Sequence, residues 1–366
     1  MMWNRRDWLW GMTASICSGA GQPASTVAFH YEAVFSPAAV RWYSRFQLLV
    51  TGGILSPEQT KILRDSGPKL IAYEWSTGLY PGEPSSHREW ESQVRSNRTW
   101  LLAPAPSGGG SAAPDKPAFW YDFGNPEFRR SRARWLAQIL AHTAYDGLFF
   151  DTVGFEQLPP DMRAAFSRRW PGLDYNRCQG EFLGELRRLI GTRKLIFLNQ
   201  GYRHAPELLP HADLDLTESY FTAIDGTRTR FRAWDDAQRP WESIKIPMEK
   251  LVLPAARQFP HVRFVHVNYA TPDSALRAAR YSWAVSRLWD HSAYLIVPGD
   301  AVKEQDPVYF TETGSPLQPA WEREGALIYR LFDRGLVVVN PSEQPGNIRK
   351  TGTAVGPGPD GFFFPR

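Results

Sequence analysis

At 366 residues and 43% hydrophobic content, the chain has room for one large α/β barrel with a small addition or for two ordinary domains, and is too apolar to be disordered. Its 42 basic and 38 acidic residues leave a formal net charge of +4, without the basic stripe and interleaved aromatics that mark a nucleic-acid binder. Aromatic residues are abundant (15 Trp, 14 Tyr, 21 Phe), which suits core filling first and a stacking cleft second.

Arg5-Arg6 precede Asp7-Trp8-Leu9-Trp10 and a short apolar stretch to Ile16, close to a twin-arginine export pattern. Ser18 and Ala20 give a cleavage point after Ala20, with Ala24 as the alternative. The expectation is an export signal over 1–24 and a periplasmic or extracellular protein. A lipid anchor on Cys17 is the minor alternative, disfavoured by the bulky Ile16 before it. The segment is too short to be a transmembrane helix. Once it is removed, Cys178 is the only thiol left and no intramolecular disulfide can form.

Thr26–Tyr31 and Phe46–Thr51 read as the first two strands, the second ending at Gly52-Gly53. Ser56-Pro57-Glu58 opens a helix, Ser as N-cap and Pro at the first helical position. Lys69–Glu74 is the third strand. From Gly78 to about Pro117 the chain is rich in Gly, Pro and Ser, more than a connector needs, and reads as a rim loop or a disordered insertion. Phe119–Phe123 is a short extended piece. A helix follows from Asn125-Pro126-Glu127, with Phe128, Trp135, Leu136, Ile139 and Leu140 on one face.

The fourth strand is the most informative. After the turn pair Asp146-Gly147 come Leu148-Phe149-Phe150, a run with no wet face, ending on the carboxylate of Asp151. A helix capped by Asp174 runs from Tyr175 to just before Gly191. Lys194–Asn199, Leu214–Glu218, Arg263–Asn268 and Ala293–Val297 supply strands five to eight, with a helix capped by Asp273 and carrying Leu276, Ala279, Trp283 and Leu288 before the last. Eight strands separated by helices or loops match a (β/α)8 TIM barrel over 25–300. From 301 to 366 the character changes: Ala326–Phe332 and Leu336–Asn340 flank a turn at Asp333-Arg334-Gly335, and Phe362–Phe364 is a last apolar run. This reads as a small C-terminal all-β appendage.

Barrel enzymes keep their reacting groups at the C-terminal rim of the strands. Asp151 and Glu218 stand at the ends of strands four and six, close enough in the ring to bracket one bond. Two carboxyls so placed are the equipment for hydrolysing a glycosidic bond, one donating a proton and the other attacking or stabilising the anomeric carbon. A lone strand-end acid is more often a helix cap or an ion pair; the matched pair makes the chemical reading the better one. Glu74 and Asp122, with Tyr121, Asn199, Tyr202, Tyr220 and Asn268, are candidates for holding sugar hydroxyls or for ordinary rim hydrogen bonds. His266, inside strand seven, reads as a buried, satisfied histidine. The chain has no H-E-x-x-H, C-x-x-C, G-x-G-x-x-G or G-x-S-x-G, so no metal and no cofactor is expected.

The segments Leu70–Glu74, Tyr121–Glu127, Tyr145–Asp151, Phe197–Gly201 and Thr217–Phe221 occur in the order seen in glycoside hydrolase family 114, which the chain resembles over roughly 69 to 221. That group includes endo-α-1,4-polygalactosaminidases. The D-G-(apolar)3-D and E-S-(aromatic) pieces are the most specific, and the hairpin Tyr329 to Asn340 is similar to the C-terminal piece of related bacterial glycosidases. The resemblance implies a (β/α)8 fold, with Asp151 and Glu218 matching the family's catalytic carboxylates. The expectation is an exported glycoside hydrolase with an α-linked polysaccharide, an amino-sugar polymer among the candidates, as its partner, Asp151 as nucleophile or charge-stabilising carboxylate and Glu218 as general acid/base. Alternatives are a polysaccharide-binding barrel without catalysis, or a hydrolase of an amide or ester substituent on such a polymer.

Overall fold

The computed structural model describes residues 26–31, 36–52, 54–79, 88–102, 119–201, 203–232, 241–299 and 307–366. Residues 1–24, where an export signal is expected, with Cys17, the Gly108–Ser111 stretch and Tyr202 lie outside the described residues. Eight parallel strands follow one another round a single sheet: β1 (Val27–His30), β2 (Leu48–Thr51), β3 (Lys69–Trp75), β4 (Gly147–Asp151), β5 (Leu195–Asn199), β6 (Leu214–Glu218), β7 (Arg263–Tyr269) and β8 (Ser292–Ile296). β8 lies against β1, where Tyr294 and Phe29 meet with ring centroids 6.0 Å apart. The chain folds as a (β/α)8 barrel, as its pattern implied.

Successive side chains on a strand point to opposite faces, so in a barrel they alternate between the axis and the helices. β4 shows both directions. Phe149 turns inward and meets Phe29 and Phe197 at 5.5 and 5.0 Å, while its neighbour Phe150 turns outward onto Phe182 at 5.9 Å. Phe29, Phe149, Phe197 and Tyr294 thus fill the axis with rings, closing the barrel below its rim.

Around the strands run α1 (Pro37–Tyr43), α2 (Pro57–Asp65), α3 (Arg88–Ser96), α4 (Pro126–His142), α5 (Pro160–Arg169), α6 (Tyr175–Ile190), α7 (Glu242–Pro247), α8 (Leu253–Gln258) and α9 (Ala275–Arg287). The start signals behave as chemistry requires. Ser56 and Gln59 form a reciprocal capping box on α2, Asn125 accepts the first free N–H groups of α4, and Asp174 caps α6. α7 and α8 are joined through a π-helical stretch, Met248–Val252.

Two expectations about elements need correction. The Gly78–Pro117 excursion is not structureless in its described parts: Gly78–Leu79 pairs antiparallel with Phe119–Trp120, and α3 buries Trp90 completely. An apolar anchor such as Trp90 outweighs the loop-like composition around it. Asp273 does not cap α9; it sits in a single 3-10 turn, Pro272–Ser274, where its carboxylate accepts from the Thr271 hydroxyl, and Leu276 is exposed. A helix α5 and a hairpin of Thr222–Asp225 with Arg228–Phe231 add to the expected elements.

The C-terminal region forms β9 (Glu322–Glu324), β10 (Leu327–Phe332), β11 (Gly335–Asn340), β12 (Gly346–Ile348), β13 (Thr353–Val355) and β14 (Asp360–Pro365). The main sheet has the order β9-β10-β11-β14, all antiparallel, so the expected hairpin is present and the last apolar run completes its sheet. Ile328, Phe332, Val337 and Val339 on one face join the barrel's core, while Leu327, Tyr329, Leu336 and Val338 on the other make a small core with Ile348 and Val355. Arg280 of α9 pairs with Asp360 at 2.9 Å, and Arg330 of β10 donates to Leu288 O and Asp290, both at 2.9 Å.

Candidate active site

At the C-terminal ends of the strands lies a pocket of about 320 Å³, lined by Tyr31, Gly52, Tyr73, Phe149, Asp151, Asn199, Leu216, Glu218, Val267 and Tyr269. Five consecutive strands, β3 to β7, each contribute one polar side chain: Tyr73, Asp151, Asn199, Glu218 and Tyr269. These positions share the inward parity of the ring layer beneath, Phe149 below Asp151 and Phe197 below Asn199.

The five residues form one hydrogen-bonded chain. Tyr73 Oη donates to Asp151 Oδ2 at 2.6 Å, and Tyr269 Oη donates to Glu218 Oε1 at 2.6 Å. Between the two acids, Asn199 Nδ2 donates one hydrogen to Asp151 Oδ1 at 2.7 Å and the other to Glu218 Oε2 at 2.9 Å. Its amide is held this way round because Oδ1 accepts from the Gly201 backbone N–H at 2.9 Å, in a turn where Gly201 has φ +65°. The two bridged oxygens are therefore no farther apart than those two bonds laid end to end.

The backbone is strained just past each acid. Thr152 has φ 52° and Ser219 φ 58°, left-handed conformations that cost a non-glycine residue, above all a β-branched one, about 1–3 kcal/mol. At Thr152 the strain turns the backbone N–H onto Asp151 Oδ1 at 2.9 Å. Burial, and then the like charge of Glu218, push the Asp151 carboxyl above its ordinary range, against the bonds from Tyr73, Thr152 and Asn199 that pull it down. Burial and the neighbouring Glu218 hold the Tyr269 phenol far above its ordinary value, so it stays a donor. No Lys, Arg or His is among the described lining residues.

Of the residues proposed from sequence, the structure brings Asp151, Glu218 and Asn199 together in this pocket. The other described ones stand elsewhere. Glu74 is 1% exposed, turned toward α4, where it pairs with Arg132 at 2.7 Å. Tyr121 is buried there too, accepting from the Trp90 indole at 2.9 Å. Asp122 is buried against Trp170, Arg169 and the Gly124 N–H. Asn268 accepts from the Phe221 and Thr222 N–H groups and so shapes the turn after β6. Tyr220 is 5% exposed and packs near His266. His266 is fully buried between Thr217 and His291. The residues missed were Tyr31, Tyr73 and Tyr269. Counting inward parity back from Asp151 and Glu218 through the strand register would have pointed to Tyr73 instead of Glu74 and to Tyr269 instead of Asn268.

No family model matches the chain, and no curated protein matches it. Solved structures do, and they carry the barrel of glycoside hydrolases. The glycoside hydrolase domain of PelA from Pseudomonas aeruginosa is 22% identical over 76% of this chain and 96% of that one, with a TM-score of 0.50. A maltogenic α-amylase from Thermotoga neapolitana (10% identical, 88% of this chain and 87% of that one) and the cyclic α-maltosyl-(1→6)-maltose hydrolase of Arthrobacter globiformis (12%, 88% and 86%) also reach 0.50.

Proposed function

We propose that the chain is an exported glycoside hydrolase that cleaves an α-linked amino-sugar polysaccharide with retention of configuration, in the manner of the family 114 enzymes it resembles. The observation that carries this is the Asn199 bridge, which holds Asp151 and Glu218 side by side at the rim. Retaining pairs stand about 5–5.5 Å apart and inverting pairs about 6.5–9.5 Å; a single amide nitrogen bonding both acids favours the closer pair. Asp151 attacks the anomeric carbon while Glu218 protonates the departing oxygen, giving a glycosyl ester of Asp151. Formation of the ester removes the negative charge beside Glu218, which then takes a proton from water as the water displaces Asp151. A wall that is acidic and phenolic, with no described cation, suits a sugar bearing an ammonium group. Residues 1–24 act as the export signal, 25–300 as the catalytic barrel and 301–366 as its β extension.

The test is digestion of α-1,4-linked polygalactosamine, partly and fully de-N-acetylated, with reducing ends counted and the first-formed anomer read by NMR. The expected result is chain shortening with retention, abolished in Glu218→Gln. Saturable binding without new reducing ends would make it a binding barrel, and acetate release without shortening would make it a deacetylase.

A further inference from the structure

Tyr31 lies just past the end of β1 and lines the pocket, yet has no part in the hydrogen-bonded chain of the acids. The residue is 45% exposed, and no other Phe, Tyr or Trp among the described residues is exposed to that degree. Every other described Phe, Tyr or Trp is buried or half-buried, so the one most open to water stands at the mouth of the pocket that holds the paired acids.

The ring is also held firmly. It meets Tyr73 edge to face, with centroids 5.7 Å apart at 82°, and Phe29 at 6.1 Å. Its backbone is fixed from the other side by Gly52, whose N–H donates to His30 O at 2.8 Å. A Cβ on Gly52 would stand 2.9 Å from both Tyr31 Cα and Tyr31 O, so the close approach needs glycine. Tyr73, against which Tyr31 rests, is the residue whose phenol holds Asp151. The platform is therefore one ring away from the attacking oxygen.

We infer that Tyr31 is the stacking platform of the sugar-binding subsite beside Asp151, taking the apolar C–H face of a pyranose ring. The inference rests on the glycosidase reading and adds the residue that sets affinity. An aromatic face already packed against Tyr73 and Phe29 gives up its water to a sugar's C–H face with less loss of side-chain freedom than an unpacked one. Because the contact does not change as the bond breaks, it contributes to binding and leaves the chemical step alone.

The experiment titrates α-1,4-galactosamine oligosaccharides calorimetrically into wild type, Tyr31→Phe and Tyr31→Ala, and measures kcat and KM on the same oligosaccharides. Tyr31→Phe, which keeps the aromatic face, should bind more tightly and keep a lower KM than Tyr31→Ala. Tyr31→Ala should weaken binding and raise KM on the order of tenfold, with kcat little changed. Gly52→Ala, which displaces the platform without removing it, should shift KM in the same direction by less. Cleavage by wild type with binding indifferent to Tyr31→Ala would overturn the platform and leave the glycosidase standing. Binding that depends on Tyr31 without any cleavage would keep the platform and sink the glycosidase. Wild type that neither binds nor cleaves the oligosaccharides overturns both.

Discussion

Asp151 and Glu74 stand near the ends of adjacent strands, one facing the barrel axis and the other the helices, and burial pushes both carboxyls above their ordinary range. Their surroundings differ in kind. Glu74 is answered by a guanidinium, Arg132, itself packed over Trp90, Tyr121 and Trp135. Asp215, also on the outer face, is answered by His204. Asp151 and Glu218 have only neutral donors, so their charge is oriented without being cancelled. The backbone tells the same story: both inner acids precede a left-handed residue, whereas Glu74 continues in ordinary strand into Trp75. Outer polar groups settle a structural account internally, and inner ones keep electrostatic capacity for something that binds.

The largest expected effect breaks that contrast at its centre. Asp151→Asn and Glu218→Gln should each lower kcat by about 10²–10⁴-fold, the range for losing a group that transfers a proton or attacks. Neither should lower the melting temperature: Asp151→Asn removes a charge that burial disfavours, and Glu218→Gln copies the protonated acid that donates to the departing oxygen. Reducing-end assays beside thermal melts check both halves of the statement, and a variant that is dead only because it unfolds would count against the assignment.

Glu74→Gln should do the reverse and leave kcat and KM alone. Its effect is on stability, and the sign follows from the raised carboxyl, at about 7 against an ordinary 4.5. Between those values the folded protein keeps the Glu74 proton while the unfolded chain has released it, so wild-type stability drains away as pH rises through that window. Gln mimics the protonated acid and does not titrate. The two proteins should melt alike below pH 4.5, and the gap should open in favour of the Gln variant as pH rises from there past 7. A wild type that is the more stable one at pH 8 would mean that the Arg132 pair outweighs its own desolvation. Smaller again is Asn199→Leu, which removes both bridging hydrogens and leaves two carboxylates face to face; a loss of about 10–100-fold in kcat/KM is expected, with a distorted pH profile.

Much of this was legible in the residues. The apolar run ending at Asp151, the matching end at Glu218, the caps at Ser56, Asn125 and Asp174 and the hairpin around Asp333 are local signals, and each depends on neighbours a few positions away. What was not legible depended on direction. Stopping β3 at Glu74 instead of Trp75 and β7 at Asn268 instead of Tyr269 put attention on the residue that faces the helices, because one step along a strand reverses the side chain. Trp90 and Tyr121 could not be assigned to the α3 and α4 side from composition, since a ring's partner is a matter of packing between distant segments. The Asn199 bridge lay beyond any spacing rule: it joins three strands through one amide whose orientation is set by the turn at Gly201.

The finest test concerns the difference between a cancelled and an oriented charge. Tyr73→Phe keeps the ring that supports Tyr31 and Phe149, each 5.7 Å away, and deletes only the phenol that donates to Asp151. That bond is among the influences lowering the Asp151 carboxyl, so its loss must raise it further. In the proposed mechanism Asp151 attacks only when ionised, and kcat/KM reports the free enzyme, so activity should fade as pH falls through the Asp151 value. The acidic limb of the profile should therefore move toward neutral pH in the variant while the basic limb stays where it is. At the plateau the loss should be about tenfold, the worth of one hydrogen bond to a charged acceptor. An acidic limb that does not move would show that Tyr73 only fills space beside Asp151, and the contrast with the Glu74 side of the barrel would then rest on Asn199 and the Thr152 N–H alone.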